Sequence, residues 1–419
     1  LKVFLAKRAI HFIDCQLADW PRLRLPVPQG ESHATKKHRI GEGAHIRIRL
    51  LTVVGTRPEA IKLAPVLRAF DCAQDFESRL CVTGQHRQLL DQALELFGLR
   101  PDCDLDLMTA GQHPAEITDR VDAAVSAEID YLAPDWIVVQ GDTASALGSA
   151  RAAARAGIPI AHVEAGLRSA NPASPWPEEI NRREITTLAR LHFAPTPLAA
   201  ETLLSEGVAA DQVMLTGNPV IDSLRWMERR LDGDPSLAAL LRQRFNFLDP
   251  SRRMILATIH RREQRRRRLA AFSRALLALA DSGELQIVVP LHPSPELSQP
   301  LVDSLSGHAH IHLLEAPDYA GCLFLLRRST LLLTDSGGLQ EEAPSLGKPA
   351  LVLRDCTERP EAIHAGAARL VGLSAQRAVA EARALLENSD RYAMMARPRQ
   401  IFGDGFAGPR IAQGLYRVA

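Results

Sequence analysis

The sequence predicts an α/β protein built from two doubly wound domains that face one another across a central cleft. Three observations lead there. From Ile46 onward, short apolar runs alternate with amphipathic stretches, the pattern of β-α units around a parallel sheet. The pattern occurs as two series, separated by the turn-rich joint Thr216-Gly217-Asn218-Pro219. The chain has 419 residues, more than one hydrophobic core usually serves.

In the first series the candidate strands are 49–54, 79–83, 136–139, 158–163 and 191–194. Helical stretches fall between them at 60–70, 87–97, 117–131 and 143–156. The second series places strands at 254–259, 286–290, 311–313, 331–334 and 350–353, again with helical patterns between them. The joint puts the first domain at 47–218 and starts the second at 219. In such sheets ligands sit beyond the carboxyl ends of the strands, so both series are expected to aim their post-strand loops at one cleft.

Residues 1–46 stand apart. The stretch 21–45 mixes prolines, glycines and basic residues with no sustained periodicity. It is expected to lie outside the fold, either as a disordered extension or as the product of a start placed upstream of the folded region. It begins with Leu1 and lacks the pattern of a signal peptide. No apolar run approaches the roughly 20 residues of a membrane-spanning helix. The six cysteines form no C-x-x-C pair, which favours reduced thiols, a cytoplasmic location and no metal site. A formal charge of +1 gives no global field for nucleic acid or an anionic membrane.

The chemistry-bearing residues gather at predicted strand ends. After the strand at 331–334, Asp335-Ser336-Gly337-Gly338 leads into a helical run. Free N–H groups and the helix dipole there suit a phosphate, and glycine allows close approach; a plain turn capped by Ser336 is the simpler alternative. Glu341 and Glu342 follow, one of them a candidate acceptor for ribose hydroxyls. The first strand ends in Gly55-Thr56-Arg57-Pro58-Glu59-Ala60-Ile61-Lys62, where Arg57 and Lys62 lie in place to meet an anion. The strand at 254–259 ends in His260-Arg261-Arg262-Glu263, and histidine both bonds phosphate oxygens and carries protons near neutral pH.

Three carboxylates also fall at or just beyond strand ends: Asp142, Glu164 and Glu178. Proton removal and return need carboxyls held at different pKa values by burial and neighbouring charge. Asp142 has the simpler alternative of capping the following helix. His162-x-Glu164 is similar to a zinc-deaminase pattern, but no P-C-x-x-C follows. His292, in Pro290-Leu291-His292-Pro293, is equally readable as a packed loop residue. G-x-S-x-G, Walker A and G-x-G-x-x-G motifs are missing, which argues against a hydrolase triad, an NTPase and a nicotinamide enzyme.

These segments together resemble the bacterial non-hydrolysing UDP-N-acetylglucosamine 2-epimerases. The resemblance runs from about residue 47 to the C-terminus, through G-T-R-P-E-A-I-K, T-G-Q-H-R, G-D-T, H-V-E-A-G-L-R, P-W-P-E-E-I-N-R-R, H-R-R-E, T-D-S-G-G-x-Q-E-E-A-P-S-L-G-K-P and R-D-C-T-E-R-P-E. It implies two Rossmann-like domains in a GT-B-like fold, the fold of one large class of glycosyltransferases. A second, UDP-binding domain would span 219–402, and a last helix at about 403–419 would cross back to the first domain.

The resemblance further implies interconversion of UDP-N-acetylglucosamine (UDP-GlcNAc) and UDP-N-acetylmannosamine (UDP-ManNAc) without metal or other cofactor. UDP is eliminated to leave a 2-acetamidoglucal and is then added back with the proton on the other face of C2. Asp142, Glu164 and Glu178 would form the acid/base set, with individual roles open. Arg57, Lys62 and His260 would face the reacting sugar and diphosphate; Ser336, Gly337 and Gly338 would hold phosphate, Glu342 ribose, and Arg359 the nucleotide. Gln85, His86, Arg120 and His292 match positions of a regulatory site for the substrate, and a homodimer is implied. Domain closure on UDP is the expected conformational step.

Three departures stand out. The family usually continues after H-R-R-E with a small polar residue and a glycine-containing turn, whereas here Gln264 precedes Arg265, Arg266, Arg267 and Arg268, for which a solvated helix face is the simpler expectation. Cys322 stands where some members carry an aromatic or bulky residue near the uracil, and Cys356 where threonine is common. Competing readings are a glycosyltransferase, a hydrolysing epimerase, and a catalytically silent UDP-sugar sensor.

Overall fold

A computed structural model of the protein describes residues 47–84, 87–108, 113–169, 171, 175–260 and 265–419; the N-terminal stretch 1–46 lies outside them. The first lobe is a parallel sheet of β1 (Ile48–Val54), β2 (Phe76–Val82), β3 (Cys103–Asp104), β4 (Trp136–Gln140), β5 (Ile160–Val163), β6 (Leu191–Ala194) and β7 (Val213–Leu215), in spatial order β3-β2-β1-β4-β5-β6-β7. Its helices are α1 (Arg57–Cys72), α2 (Arg87–Phe97), α3 (Pro114–Leu132), α4 (Ala144–Arg155), α5 (Glu178–Leu188) and α6 (Pro197–Ser205). β4 and β5 are buried along their whole length, as expected of parallel strands covered on both faces.

Two helices, α7 (Pro219–Gly233) and α8 (Pro235–Arg244), lead to the second lobe. There β8 (Arg253–Thr258), α9 (Arg265–Ala280), β9 (Leu285–Leu291), α10 (Pro295–Leu305), β10 (Ile311–Glu315), α11 (Tyr319–Arg328), β11 (Leu331–Thr334), α12 (Gly337–Ser345), β12 (Ala350–Val352), α13 (Pro360–His364) and β13 (Ala368–Leu370) build a parallel sheet in the order β10-β9-β8-β11-β12-β13. α14 (Ala375–Glu387), α15 (Ser389–Met395) and α16 (Ala407–Val418) complete the chain.

The ten expected strands all form, with ends displaced by at most three residues. β3, β7 and β13, only two or three residues long, escape pattern recognition because a window so short shows no period. Strand order reverses between β1 and β4 in one sheet and between β8 and β11 in the other. Those two switch points open the crevices in which ligands of such sheets sit. They carry Gly55–Lys62 and Asp142 on one side, His260 and Ser336 on the other.

α16 leaves the second lobe and packs on α1 and α7. Its contact with α1 is close: a Cβ at Gly408 would lie 2.5 Å from the Pro65 carbonyl oxygen. It starts at Ala407 and not at 403, because Gly403 and Gly405 hold φ of +139° and +93°, outside the helical region. Asp222 of α7 accepts from the Ala407 and Gly408 N–H groups, so a carboxylate from another helix caps the N-terminus of α16.

Candidate active site

α1 begins where β1 meets the cleft. Thr56 is its N-cap, and Glu59 reaches back to the Gly55 N–H at 3.1 Å and the Thr56 hydroxyl at 2.7 Å, a box that fixes the turn. The other Glu59 oxygen accepts from the Thr143 hydroxyl at 2.7 Å, so one buried carboxylate ties the post-β1 loop to the post-β4 loop. Burial pushes Glu59 up to about 7, against the hydrogen bonds from both threonines.

One turn further along, Lys62 enters a buried cluster made by both lobes. Its Nζ lies 2.6 Å from Glu164 Oε2 and 3.2 Å from Glu341 Oε2. Arg359 approaches the same two carboxylates from the second lobe, with Nε donating to Glu341 at 2.7 Å and Nη2 to Glu164 at 3.2 Å. Gln140 Nε2 also donates to Glu164. Two cations therefore neutralise two carboxylates out of water, which such charges require.

Burial lowers the Lys62 amine, but attraction to Glu164 and Glu341 outweighs it and the net shift is upward. Burial raises the Glu164 carboxyl, and its two cations do not cancel that. Burial also raises Glu341, but Arg359 and Lys62 bring it below its ordinary value. Glu164 holds φ of +65°, the left-handed region that side-chain-bearing residues rarely adopt. Backbone strain of this kind marks positions fixed by their surroundings.

Asp142 forms a second ionic group beside the first. Thr143, not Asp142, caps α4, which sets aside the simple capping alternative. Arg182 of α5 instead holds Asp142 through Nε at 3.1 Å and through Nη2. The same guanidinium donates to Glu179 at 2.9 Å and lies 3.8 Å from Glu358 of the second lobe. Glu358 is in turn held by Arg354 at 2.7 Å. Glu178 opens α5, half-buried, one residue before Glu179 in the chain.

On the second lobe, Ser336 is the N-cap of α12 but its side chain makes no capping bond, contrary to the capped-turn alternative. Ser336, Gly337 and Gly338 are all partly accessible at the head of the helix. A Cβ at Gly337 would stand 2.7 Å from Arg359 Nη1, so glycine is what lets the guanidinium lie against this turn. Thr334 and Thr258 hydroxyls meet at 2.6 Å and join β11 to β8; Asp335 accepts from the His260 N–H at 2.9 Å. Glu342 is buried and accepts from the Tyr319 hydroxyl at 2.7 Å. Arg57 crosses the cleft to donate to the Pro317 carbonyl at 2.9 Å.

His260 and His292 come together, ring centroids 5.8 Å apart, and His292 Nδ1 accepts from the Ser294 N–H. Arg120 lies exposed on α3. Gln85, His86 and 261–264 lie outside the described residues. His162 is wholly buried with Nε2 on the Gly141 carbonyl, and burial lowers its imidazole to about 3, the state of a core histidine. Among the described residues, no three His, Cys, Asp or Glu side chains are grouped to hold a metal ion. The solvated-face expectation for the arginine run fails at Arg268: it is buried, and its Nη1 donates to the Leu353 carbonyl at 3.2 Å. Arg267 is exposed. Cys322 sits on α11 with its thiol directed at the Pro317 carbonyl, and burial pushes it up to about 11.

Sequence reasoning left Glu341 unassigned and missed Arg182, Glu358, Arg354, Gln140, Glu59 and Tyr319. Two of these left a signal. Thr56-x-x-Glu59 has the spacing of a capping box, and Glu179 with Arg182 has the i, i+3 spacing of a helical ion pair.

The family model described as UDP-N-acetylglucosamine 2-epimerase matches residues 68–416. The chain is 45% identical over 372 residues to UDP-N-acetylglucosamine 2-epimerase of Yersinia pestis, covering 88% of this chain and 98% of that one. It is 44% identical over 376 residues to the Salmonella typhimurium protein of the same name, covering 89% and 100%. The crystal structure of UDP-GlcNAc 2-epimerase from Neisseria meningitidis bound to UDP-GlcNAc superposes with a TM-score of 0.87 at 40% identity, over 88% of this chain and 100% of that one. The two parallel sheets thus form the GT-B-like α/β architecture expected from the sequence, and the chain belongs to the UDP-N-acetylglucosamine 2-epimerase family.

Proposed function

We propose that this enzyme is a non-hydrolysing UDP-N-acetylglucosamine 2-epimerase that interconverts UDP-GlcNAc and UDP-ManNAc. The observation that carries the reading is the buried group of Lys62, Glu164, Arg359 and Glu341, drawn from both lobes and lying beside the open helix head at Ser336-Gly337-Gly338. A base removes the C2 proton, the C–H electrons form the C1–C2 double bond, and the C1–O bond breaks with its electrons leaving on UDP. Return of UDP to C1 and of a proton to the opposite face of C2 gives the epimer. No water is consumed.

The leaving diphosphate needs cations and backbone donors, which Lys62, Arg57, Arg359 and the α12 N-terminus supply, with His260 beside them. Asp142, Glu164 and Glu178 form the acid/base set. Glu164, raised by burial, is suited to change protonation near neutral pH. Glu342 receives the ribose. His292, beside His260, belongs with Arg120, Gln85 and His86 to a regulatory subsite for substrate. We assign 47–218 with the last helix to one domain and 219–402 to the other, in a cytoplasmic homodimer.

Incubation with UDP-GlcNAc in deuterium oxide, followed at C2 by NMR, tests the reading. Deuterium at C2 with both UDP-sugars present is the expected result. Free N-acetylmannosamine with UDP would replace it with the hydrolysing reaction, and binding without exchange would leave only a sensor.

A further inference from the structure

The proposed mechanism makes no use of Tyr319, which is buried and hydrogen-bonded to Glu342. It opens α11 behind the N-cap Asp318, with its ring 6.0 Å from that of Phe97 on α2, and Phe97 packs 4.9 Å from Trp226 on α7. The ring is thus wedged where the first lobe, the linking helix and the second lobe meet. Its hydroxyl reaches α12 and donates to Glu342 Oε1 at 2.7 Å.

We propose that Tyr319 is a positioning residue that clamps one oxygen of the Glu342 carboxylate and leaves the other to accept from ribose hydroxyls, so that the site selects ribonucleotides over deoxyribonucleotides. The proposal rests on the assignment of Glu342 to ribose. A glutamate has three side-chain torsions, and ordering them on binding costs affinity; a rigid buried phenol removes that cost in advance. A site built to bond a hydroxyl also rejects the analogue that lacks it, because the buried acceptor is then left unpaired.

The electrostatics agree with the geometry. Burial pushes Glu342 up to about 7, and the Tyr319 hydroxyl opposes that by bonding the charged form. The other groups that act on the Tyr319–Glu342 pair are Glu341 on the same helix, Lys62 and Arg57 from α1, Cys322 from α11 and Glu228 from α7. Tyr319 itself is driven well above its ordinary value by burial and by Glu342, so it stays a donor across the neutral range. Without the hydroxyl that opposition is lost, and Glu342 moves further up.

The test is calorimetric titration with UDP, 2′,3′-dideoxy-UDP and inorganic pyrophosphate at pH 6.5, 7.5 and 8.5, on the full chain and on Tyr319→Phe, Glu342→Gln and the double variant. The full chain is expected to prefer UDP to the dideoxy analogue by at least about tenfold. Tyr319→Phe loses most of that ratio at pH 6.5 and regains part of it at pH 8.5, with pyrophosphate affinity unchanged. In the Glu342→Gln background, Tyr319→Phe has no further effect on the ratio, whereas a purely structural role for the ring would leave the two changes additive. A Tyr319→Phe protein that discriminates as well as the full chain overturns the role of Tyr319 alone. A full chain that does not discriminate overturns the ribose assignment on which it rests.

Discussion

The turn after β5 and the middle of α12 each present one buried glutamate to the same two cations, and the two carboxyls respond in opposite directions. Glu341 has Arg359 at 2.7 Å and Lys62 at 3.2 Å and falls below its ordinary value; Glu164 has them at 3.2 Å and 2.6 Å, gains an amide from Gln140, and rises. Burial acts first on both. The four charges balance as a group, so the difference between the carboxyls comes from how each sits against the shared cations, and a proton entering the group is a property of the coupled set. The second lobe thus carries the carboxyl that its cations hold low and the first the one that burial raises, the division that the proposed roles of leaving-group binding and proton transfer require.

The largest expected effect comes from exchanging those roles. Glu164→Gln should lower C2 exchange about 10²- to 10⁴-fold while UDP still binds. Glu341→Gln should act mainly through KM, because it frees Arg359 and Lys62 without removing the titrating carboxyl. Steady-state kinetics on both variants decides the matter, and a Glu341→Gln enzyme more impaired in kcat than Glu164→Gln would reverse the comparison.

A smaller effect is expected where the head of α12 meets Arg359, the cation that reaches both carboxylates. Gly337→Ala places a methyl group 2.7 Å from Arg359 Nη1, so the guanidinium must move away from both glutamates. We expect kcat/KM to fall about tenfold to a hundredfold with the fold intact, measured by kinetics alongside a thermal melt. Unchanged kinetics would mean that the position of Arg359 does not set the difference between the two carboxyls.

The smallest effect concerns a carboxylate bonded to backbone rather than to a cation. Asp222, bonded by the Ala407 and Gly408 N–H groups, is pushed by burial up to about 7. Its folded value lies above its unfolded value, so the stability it contributes is full below about pH 4 and is lost as pH rises through 7. Asp222→Asn should therefore gain on the parent in melting temperature as pH is raised from 4 to 8. A gap that stays constant with pH would show that burial alone does not raise such a group here.

Much of this was legible in the sequence. Strand ends announce themselves by apolar runs stopping at glycine, as at Gly55, Gly141 and Asp335-Ser336-Gly337, and the switch-point rule places them in one cleft. The identity of the cation beside each carboxylate was not legible. Glu341 and Glu342 are neighbours in sequence, yet one faces Lys62 and Arg359 and the other Tyr319, a difference of about a hundred degrees around a helix whose azimuth no local pattern reports. Arg268 escaped for a related reason: within a run of arginines, which one turns inward depends on the surface it meets, here the Leu353 carbonyl.

The return of α16 to α1 also has a topological meaning. The chain leaves the first sheet through Gly217-Asn218 and comes back past it at Phe402-Gly403, and there the Asn218 N–H donates to the Phe402 carbonyl at 2.6 Å. Gly217 and Gly403 both hold positive φ, and a Cβ at Gly217 would lie 3.2 Å from the Gly403 Cα. The chain between these points therefore leaves and returns through a neck of two backbone segments side by side, and the twelve residues of the last helix lie against α1 and α7. Trimming those residues would uncover the back of α1, the helix whose front carries Lys62, so damage at the far end of the chain would be felt at the centre of the site.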